Sequence, residues 1–289
     1  MMYERYLFSS TNLKAKATKF IDKAQWQWLA DASYEDCVDW LKTTWYKPIV
    51  DQAPEIAFHQ MLLDELSFLS RNLEETYLKL LVWDSWFHAL RYRREGLKNP
   101  LIIFAEKMQW QFEKELLKTL EQIWSSRTST TELKIDVLNL NVSFEYESSL
   151  KSENIRSFWK LRNQLLLLKL ILRCKTLSLP CDELSKFEWF KTKDLIARPV
   201  EDWPSLVPSQ LKEPLLRMIE GKDVDLAIRA ELYRFAQRAF KTIVSGPEVL
   251  VYYFYHKLWE IEDLMSLLEC KKNNVPKQVW QERMLKLNV

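Results

Sequence analysis

The sequence predicts an all-α fold, on three observations. Apolar side chains recur with a period near 3.6 through almost all of the 289 residues, and Leu, Lys, Glu, Ala, Gln and Arg fill the positions between them. Only three glycines, Gly96, Gly221 and Gly246, interrupt the pattern. With 47% hydrophobic residues and 13 Trp, the chain has material for a large core, arranged as one elongated domain or as two or three lobes.

Three segments share one layout, a long apolar helix whose C-terminal end turns basic and stops: EETYLKLLVWDSWFHALRYRREG at 74–96, ENIRSFWKLRNQLLLLKLILRCK at 153–175, and the stretch that follows Gly246. Pro100 and Pro180 stand just past the first two, as breakers that open the next segment. Their spacing exceeds that of solenoid repeats and suggests three lobes, about 1–99, 100–179 and 180–289, within one domain covering 1–289. In the second helix the run LLLLKLIL is too short to cross a membrane and reads as a buried central helix.

Two stretches depart from helical periodicity. SSRTSTT at 125–131 reads as a loop. From Leu138 to Tyr146, apolar residues alternate strictly with Asn139, Asn141, Ser143 and Glu145, which is a strand signal. An isolated strand cannot satisfy its own backbone, so residues 133–146 are expected either as a tight hairpin or as an extended segment lying on helices.

The third helix has the clearest boundaries. Ser245 with Glu248 fits a capping box, and Gly246 followed by Pro247 supplies a permissive residue and then a fixed φ. At the far end Lys271 and Lys272 suit the negative pole of the helix dipole, Asn273 and Asn274 tolerate a left-handed cap, and Pro276 forbids continuation. A helix over about 247–272 is therefore expected, roughly 38 Å long at ~1.5 Å per residue. Its charged residues, among them Glu260, Glu262, Asp263 and Glu269, rule it out as a bilayer span.

Most chemical classes lack their motifs. Gly221-Lys222 has Leu216 where a P-loop needs its first glycine, and three glycines are too few for a dinucleotide fold. Glu260 stands four residues after His256, and Asp263 three after Glu260, so the three share a helix face, but Glu-x-x-His, His-Glu-x-x-His and Cys/His zinc spacings are all missing. No nucleophile elbow occurs, and pairs such as Asp64-Glu65 and Glu74-Glu75 read as solvated helix faces. No catalytic residue, metal or cofactor is therefore expected. Cys37, Cys174, Cys181 and Cys270 lack CxxC spacing and read as reduced core thiols of a cytoplasmic protein. Lys plus Arg number 42 against 40 Asp plus Glu, a balance that argues against nucleic acid or a polybasic membrane anchor. The N-terminus MMYERYLFSSTNLKAK has no apolar core of the kind a secretory signal needs.

Both ends of the chain resemble one family. Gly246-Pro247-Glu248, an aromatic and aliphatic run, Glu260-Ile261-x-Asp263-Leu264, Leu267-Leu268, Lys271 and a Pro276 opening a short last helix near Glu282-Arg283 resemble the C-terminal signature of the V/A-type ATPase central-stalk family, which vacuolar, archaeal and bacterial rotary enzymes share. Residues 3–46 are similar to that family's opening: a Tyr-led helix, a short acidic link, and a helix ending in Leu41-x-x-Thr44-x-Tyr46. Asp84 to Arg94 resembles the first-lobe counterpart of the last long helix. The family commonly carries Asn where this chain has Asp263, and the strand-like 133–146 is unusual for it.

The resemblance implies a three-lobed helical funnel with no catalytic activity of its own. Such a component sits on the cytoplasmic face of the proteolipid ring and receives the tip of the central shaft, coupling ATP-linked rotation to proton or sodium transport. Its partners would be the shaft subunits of the soluble sector and the ring of the membrane sector, with the membrane reached only through the ring. The motif or interface candidates are Gly246, Pro247, Glu248, Glu260, Asp263 and Lys271. The carboxylates on this helix either lock the fold by hydrogen bonds or belong to the shaft socket. An all-α adaptor or regulatory protein outside rotary ATPases, and an enzyme with an unrecognised motif, remain the other readings of the residues.

Overall fold

A computed structural model describes residues 2–52, 54–83, 112–126, 130–221 and 223–288. Among them the secondary structure is helical, with no strand. The described residues fall into two compact units, one formed by residues up to 109 together with Tyr233–Val289, the other by Trp110–Leu232.

In the first unit the chain folds as α1 (Met2–Ala17), α2 (Lys23–Asp31), α3 (Tyr34–Lys42), α4 (Lys47–Asp51), α5 (Pro54–Leu69) and a helix over 75–83, α6. The remainder of the predicted 74–96 helix, with Gly96 and Pro100, lies outside the described residues. Asp22 and Gln25 close a reciprocal capping box on α2, and Ser33 caps α3 through the Asp36 N–H.

The second unit holds α7 (Phe112–Ser125), α8 (Thr131–Ser149) and α9 (Glu153–Thr176). They are followed by α10 (Thr192–Ala197), flanked by short 3₁₀ turns, and α11 (Ser209–Ile219). Next comes α12 (Val224–Phe240), whose residues from Tyr233 onward belong to the first unit. Three further helices complete the first unit: α13 (Pro247–Lys272), α14 (Lys277–Gln281) and α15 (Leu285–Asn288).

Among the described residues the strand-like segment is misassigned by the sequence: residues 131–149 form α8, one arm of a helical hairpin with α9. Leu133, Val137, Leu140, Ser143 and Glu147 make its buried stripe at helical spacing, while Phe144 is exposed. The alternation misleads because a polar residue takes the inward place. Ser143 donates to Asn163 Oδ1 at 2.6 Å and accepts from Arg162 at 3.0 Å, and Asn163 donates to Glu147 at 3.1 Å. Trp159 donates its indole N–H to the Ser143 carbonyl at 3.1 Å and carries the Arg162 guanidinium on its face at 4.3 Å. Phe144 meets Trp189 and Phe187 edge-on instead of entering the helix interface.

The buried central helix is found as expected. Leu165, Leu167, Leu168, Leu170 and Ile171 are all buried, and the interrupting Lys169 reaches Asp225 at 2.6 Å. Of the predicted loop at 125–131, Ser126 and Thr130 are turn residues, and 127–129 lie outside the described residues. No helix among the described residues is long and apolar enough to cross a membrane.

The long helix α13 is the beam of the first unit. It packs against α1, α3, α5 and α15. Being covered on several sides, it is buried nearly all round from Val249 to Leu268, which is why its apolar residues form no single stripe. Ile261, Leu264 and Leu267 meet Trp26, Leu29 and Leu41 in one cluster, closed by Trp280 and Met284.

Candidate functional site

Gly246 begins α13 as its N-cap with φ +139, a conformation reserved in practice for glycine. A β-carbon there would stand 2.5 Å from Glu248 Oε2, so the Glu248 carboxylate occupies the space that glycine leaves open. The backbone N–H of Gly246 points at Ser10 Oγ of α1, 3.4 Å away. Pro247 occupies the first helical turn, where its missing N–H costs nothing. The capping box expected of Ser245 and Glu248 is not formed: the cap residue is Gly246, and no side chain caps the helix end. At the other end Asn274 takes the left-handed conformation, φ 52, after the two lysines.

The two carboxylates of the motif turn inward to serve backbone groups from distant segments. Glu260, with no exposed surface, accepts the Ile21 N–H at 2.7 Å through Oε1. Its Oε2 lies 3.5 Å from His256 Nδ1. Asp263, also buried, accepts the Lys286 N–H at 2.7 Å and so holds α15 against the beam. An unpaired buried N–H costs about 1–3 kcal/mol, so each carboxylate secures a backbone N–H, in the link at Ile21 or in the first turn of α15, that would otherwise be unsatisfied.

Lys271 ends the beam with a third such tie: its ammonium donates to the Ala30 carbonyl at 3.1 Å and also to the Ala32 carbonyl, at the C-terminus of α2. A cation there satisfies orphan carbonyls and the negative end of the helix dipole. Lys277 pairs with Asp31 beside it.

The six motif residues therefore do not form one pocket. Gly246, Pro247 and Glu248 stand at the start of a 26-residue helix and Lys271 at its end, roughly 35 Å away at ~1.5 Å per residue, with Glu260 and Asp263 between. Among the described residues, no group of three or more His, Cys, Asp or Glu side chains is placed to hold a metal ion. All four cysteines are free, Cys37, Cys174 and Cys181 buried and Cys270 partly so.

Around Glu260 the structure gathers groups that sequence spacing does not single out. The Leu41-x-x-Thr44-x-Tyr46 turn is held by Thr44, whose hydroxyl donates to the Leu41 carbonyl at 2.8 Å and accepts the Tyr46 N–H at 3.1 Å. That turn delivers Trp45 and Tyr46 to Lys257, whose ammonium sits 3.4 Å from the Trp45 ring centroid and 3.9 Å from that of Tyr46. Lys257 is 4% exposed. Burial pushes its ammonium down from 10.5 to about 7, aided by Lys16 and opposed by Glu260 and Glu65. The two rings favour the charged form by about 0.5–2 kcal/mol each, less than the cost of taking a lone ammonium out of water.

Tyr46, itself fully buried, has its phenol pushed up by burial and then by Glu260. Glu65, read from sequence as part of a solvated pair, is buried instead: it accepts the Tyr253 hydroxyl at 3.0 Å and pairs with Lys16 at 3.4 Å. His256 stacks on Phe20 at 4.2 Å, faces the Tyr233 hydroxyl at 3.3 Å, and has the Lys286 ammonium 3.1 Å from Nε2. Burial holds His256 below its ordinary value, with Glu260 pulling it up and Lys286 pushing it down. The sequence signal for this cluster is only the spacing His256, Lys257, Glu260 on one helix; the aromatic lid comes from the far end of the chain.

No protein-family model matches the sequence. No curated protein matches it either.

Proposed function

We propose that the chain is a non-catalytic central-stalk component of a rotary V/A-type ATPase, seated on the cytoplasmic face of the proteolipid ring and receiving the shaft. In that role it passes ATP-linked rotation between the two and takes part in proton or sodium transport without hydrolysing ATP itself. The reading rests on the motif resemblance at both ends of the sequence. One observation supports it beyond sequence: the residues that carry the resemblance are those that join the two ends. Glu260 holds Ile21, Lys271 holds Ala30 and Ala32, and the Leu41-Thr44-Tyr46 turn covers Lys257. A part that transmits torque needs this kind of stiffness, a continuous beam tied at several points to the segments it must carry. A cleft lined by perturbed acids is the feature an enzyme would need instead.

The test is co-purification. The tagged chain, recovered from its own cells under mild detergent, is expected to bring shaft and ring subunits with it in mass spectrometry. Recovery with other partners and without those subunits would favour the adaptor reading.

A further inference from the structure

The way α9 ends brings Cys174 and Cys181 together. Ser178 takes a left-handed conformation, φ 51, the Leu179 N–H reaches back to the Cys174 carbonyl at 2.8 Å, and the Ser178 N–H reaches the Lys175 carbonyl at 3.3 Å. This pair of bonds is the Schellman arrangement, which turns the chain back over the last helical turn. Pro180 keeps the helix from resuming, and the 3₁₀ turn Asp182–Lys186 starts at once, its Leu184 N–H bonded to the Cys181 carbonyl at 2.9 Å. Leu179 ties the two cysteines to one residue: its N–H is held by the Cys174 carbonyl, and its own carbonyl accepts the Cys181 thiol at 3.4 Å. The two thiols lie within hydrogen-bonding reach of each other. Cys174 has no exposed surface whereas Cys181 keeps 9%, so solvent meets the pair from the Cys181 side.

We propose that Cys174 and Cys181 form a reversible oxidation site, which closes to an intramolecular disulfide when the chain meets hydrogen peroxide. Cys181 reacts first because it has the surface: its sulfur attacks one peroxide oxygen, the O–O bond breaks, and the other oxygen leaves as water with the thiol proton. Cys181 is then a sulfenic acid. The Cys174 sulfur attacks the sulfenyl sulfur, an S–S bond forms as the S–O bond breaks, and the hydroxyl departs as a second water with the Cys174 proton. Two thiols and one peroxide give one disulfide and two waters, with two electrons passing from the pair to the oxidant. Burial, with Cys181 beside it, pushes the Cys174 thiol up, which suits a sulfur that waits for its partner to be activated. The new bond staples the 3₁₀ turn, with its buried Leu184, to the last turn of α9. Phe187 follows that turn and meets Phe144 of α8, so the staple also bears on the aromatic contact between the two.

Thiol mapping on the full folded chain tests this. The chain is treated with hydrogen peroxide, the peroxide is destroyed with catalase, and the protein is unfolded in N-ethylmaleimide, digested and read by mass spectrometry. The expected product is a crosslinked Cys174–Cys181 peptide, about 2 Da lighter than its reduced form, with both thiols restored by dithiothreitol. Cys174→Ser is expected to stop at a sulfenic acid on Cys181 that dimedone captures, and Cys181→Ser to leave Cys174 a thiol. Both cysteines still alkylated after a large molar excess of peroxide overturns the proposal. So does their oxidation without a bond between them, or a crosslink of either one to Cys37, to Cys270 or to a second chain. The wild-type map decides the matter even where a serine variant fails to fold.

Discussion

The carboxylate of Glu260 accepts the backbone N–H of Ile21 at 2.7 Å across 239 residues of sequence, with no solvent exposure at Glu260. This bond fixes the link between α1 and α2 to the middle of the long helix. Glu260→Ala leaves that N–H unpaired and is expected to cost about 1–3 kcal/mol. Glu260→Gln keeps an acceptor and is expected to cost less. Urea unfolding of the two variants beside the wild type gives the comparison, and equal stability of all three would contradict the assignment.

Asp263 performs the same service for the Lys286 N–H. Asp263→Leu is expected to lower the melting temperature, with a loss of about 1–3 kcal/mol, whereas Asp263→Asn retains an acceptor and stays near the wild type. Unchanged stability together with lost binding of shaft subunits would instead place Asp263 in an interface.

Gly246 is required by φ +139; the Glu248 carboxylate near its β-carbon position is the far end of a flexible side chain and can swing aside. Gly246→Ala is expected to destabilise by about 1–3 kcal/mol. Because the Glu248 side chain can move away, the backbone part dominates, and Gly246→Ala and Glu248→Ala are expected to be nearly additive in thermal melts of the double-variant cycle; a double variant clearly more stable than the sum would mean that Glu248 cannot leave the space at Gly246.

These three residues also show what the sequence can and cannot reveal. The ends of α13 are legible because Pro247, the lysines and Asn274 act through local backbone rules. The capping box is a false signal because Gly246, not Ser245, sits at the turn into the helix. Helix α8 is hidden because the partners that let Ser143 face inward, Arg162 and Asn163, lie on the next helix, and those that occupy Phe144 lie beyond it. The surroundings of Lys257 are hidden for the same reason: neutral-looking spacing on one helix gains its meaning from Trp45 and Tyr46.

Lys257 gives the fold a dependence on pH with a definite sign. Its folded value, about 7, lies below the ordinary 10.5, so between those limits the unfolded chain holds the proton and the folded chain does not. Stability therefore rises with pH through that window, by on the order of 5 kcal/mol, and the penalty is fully present below pH 7. His256, depressed from 6.5, adds a loss as pH falls below that value. Lys257→Met is expected to be more stable than the wild type at pH 6 and to show a flatter profile from pH 7 to pH 9.5, both read from urea midpoints. A wild-type profile that falls over pH 7 to 9.5 would contradict the depressed ammonium of Lys257.

Flotation tests the coupling role most directly. The purified chain is mixed with liposomes carrying the assembled proteolipid ring and, separately, with protein-free liposomes of the same lipids. The proposed role predicts that the chain floats with the ring-bearing liposomes and stays at the bottom with the empty ones. Binding to neither contradicts the central-stalk assignment, and equal binding to both contradicts attachment through the ring.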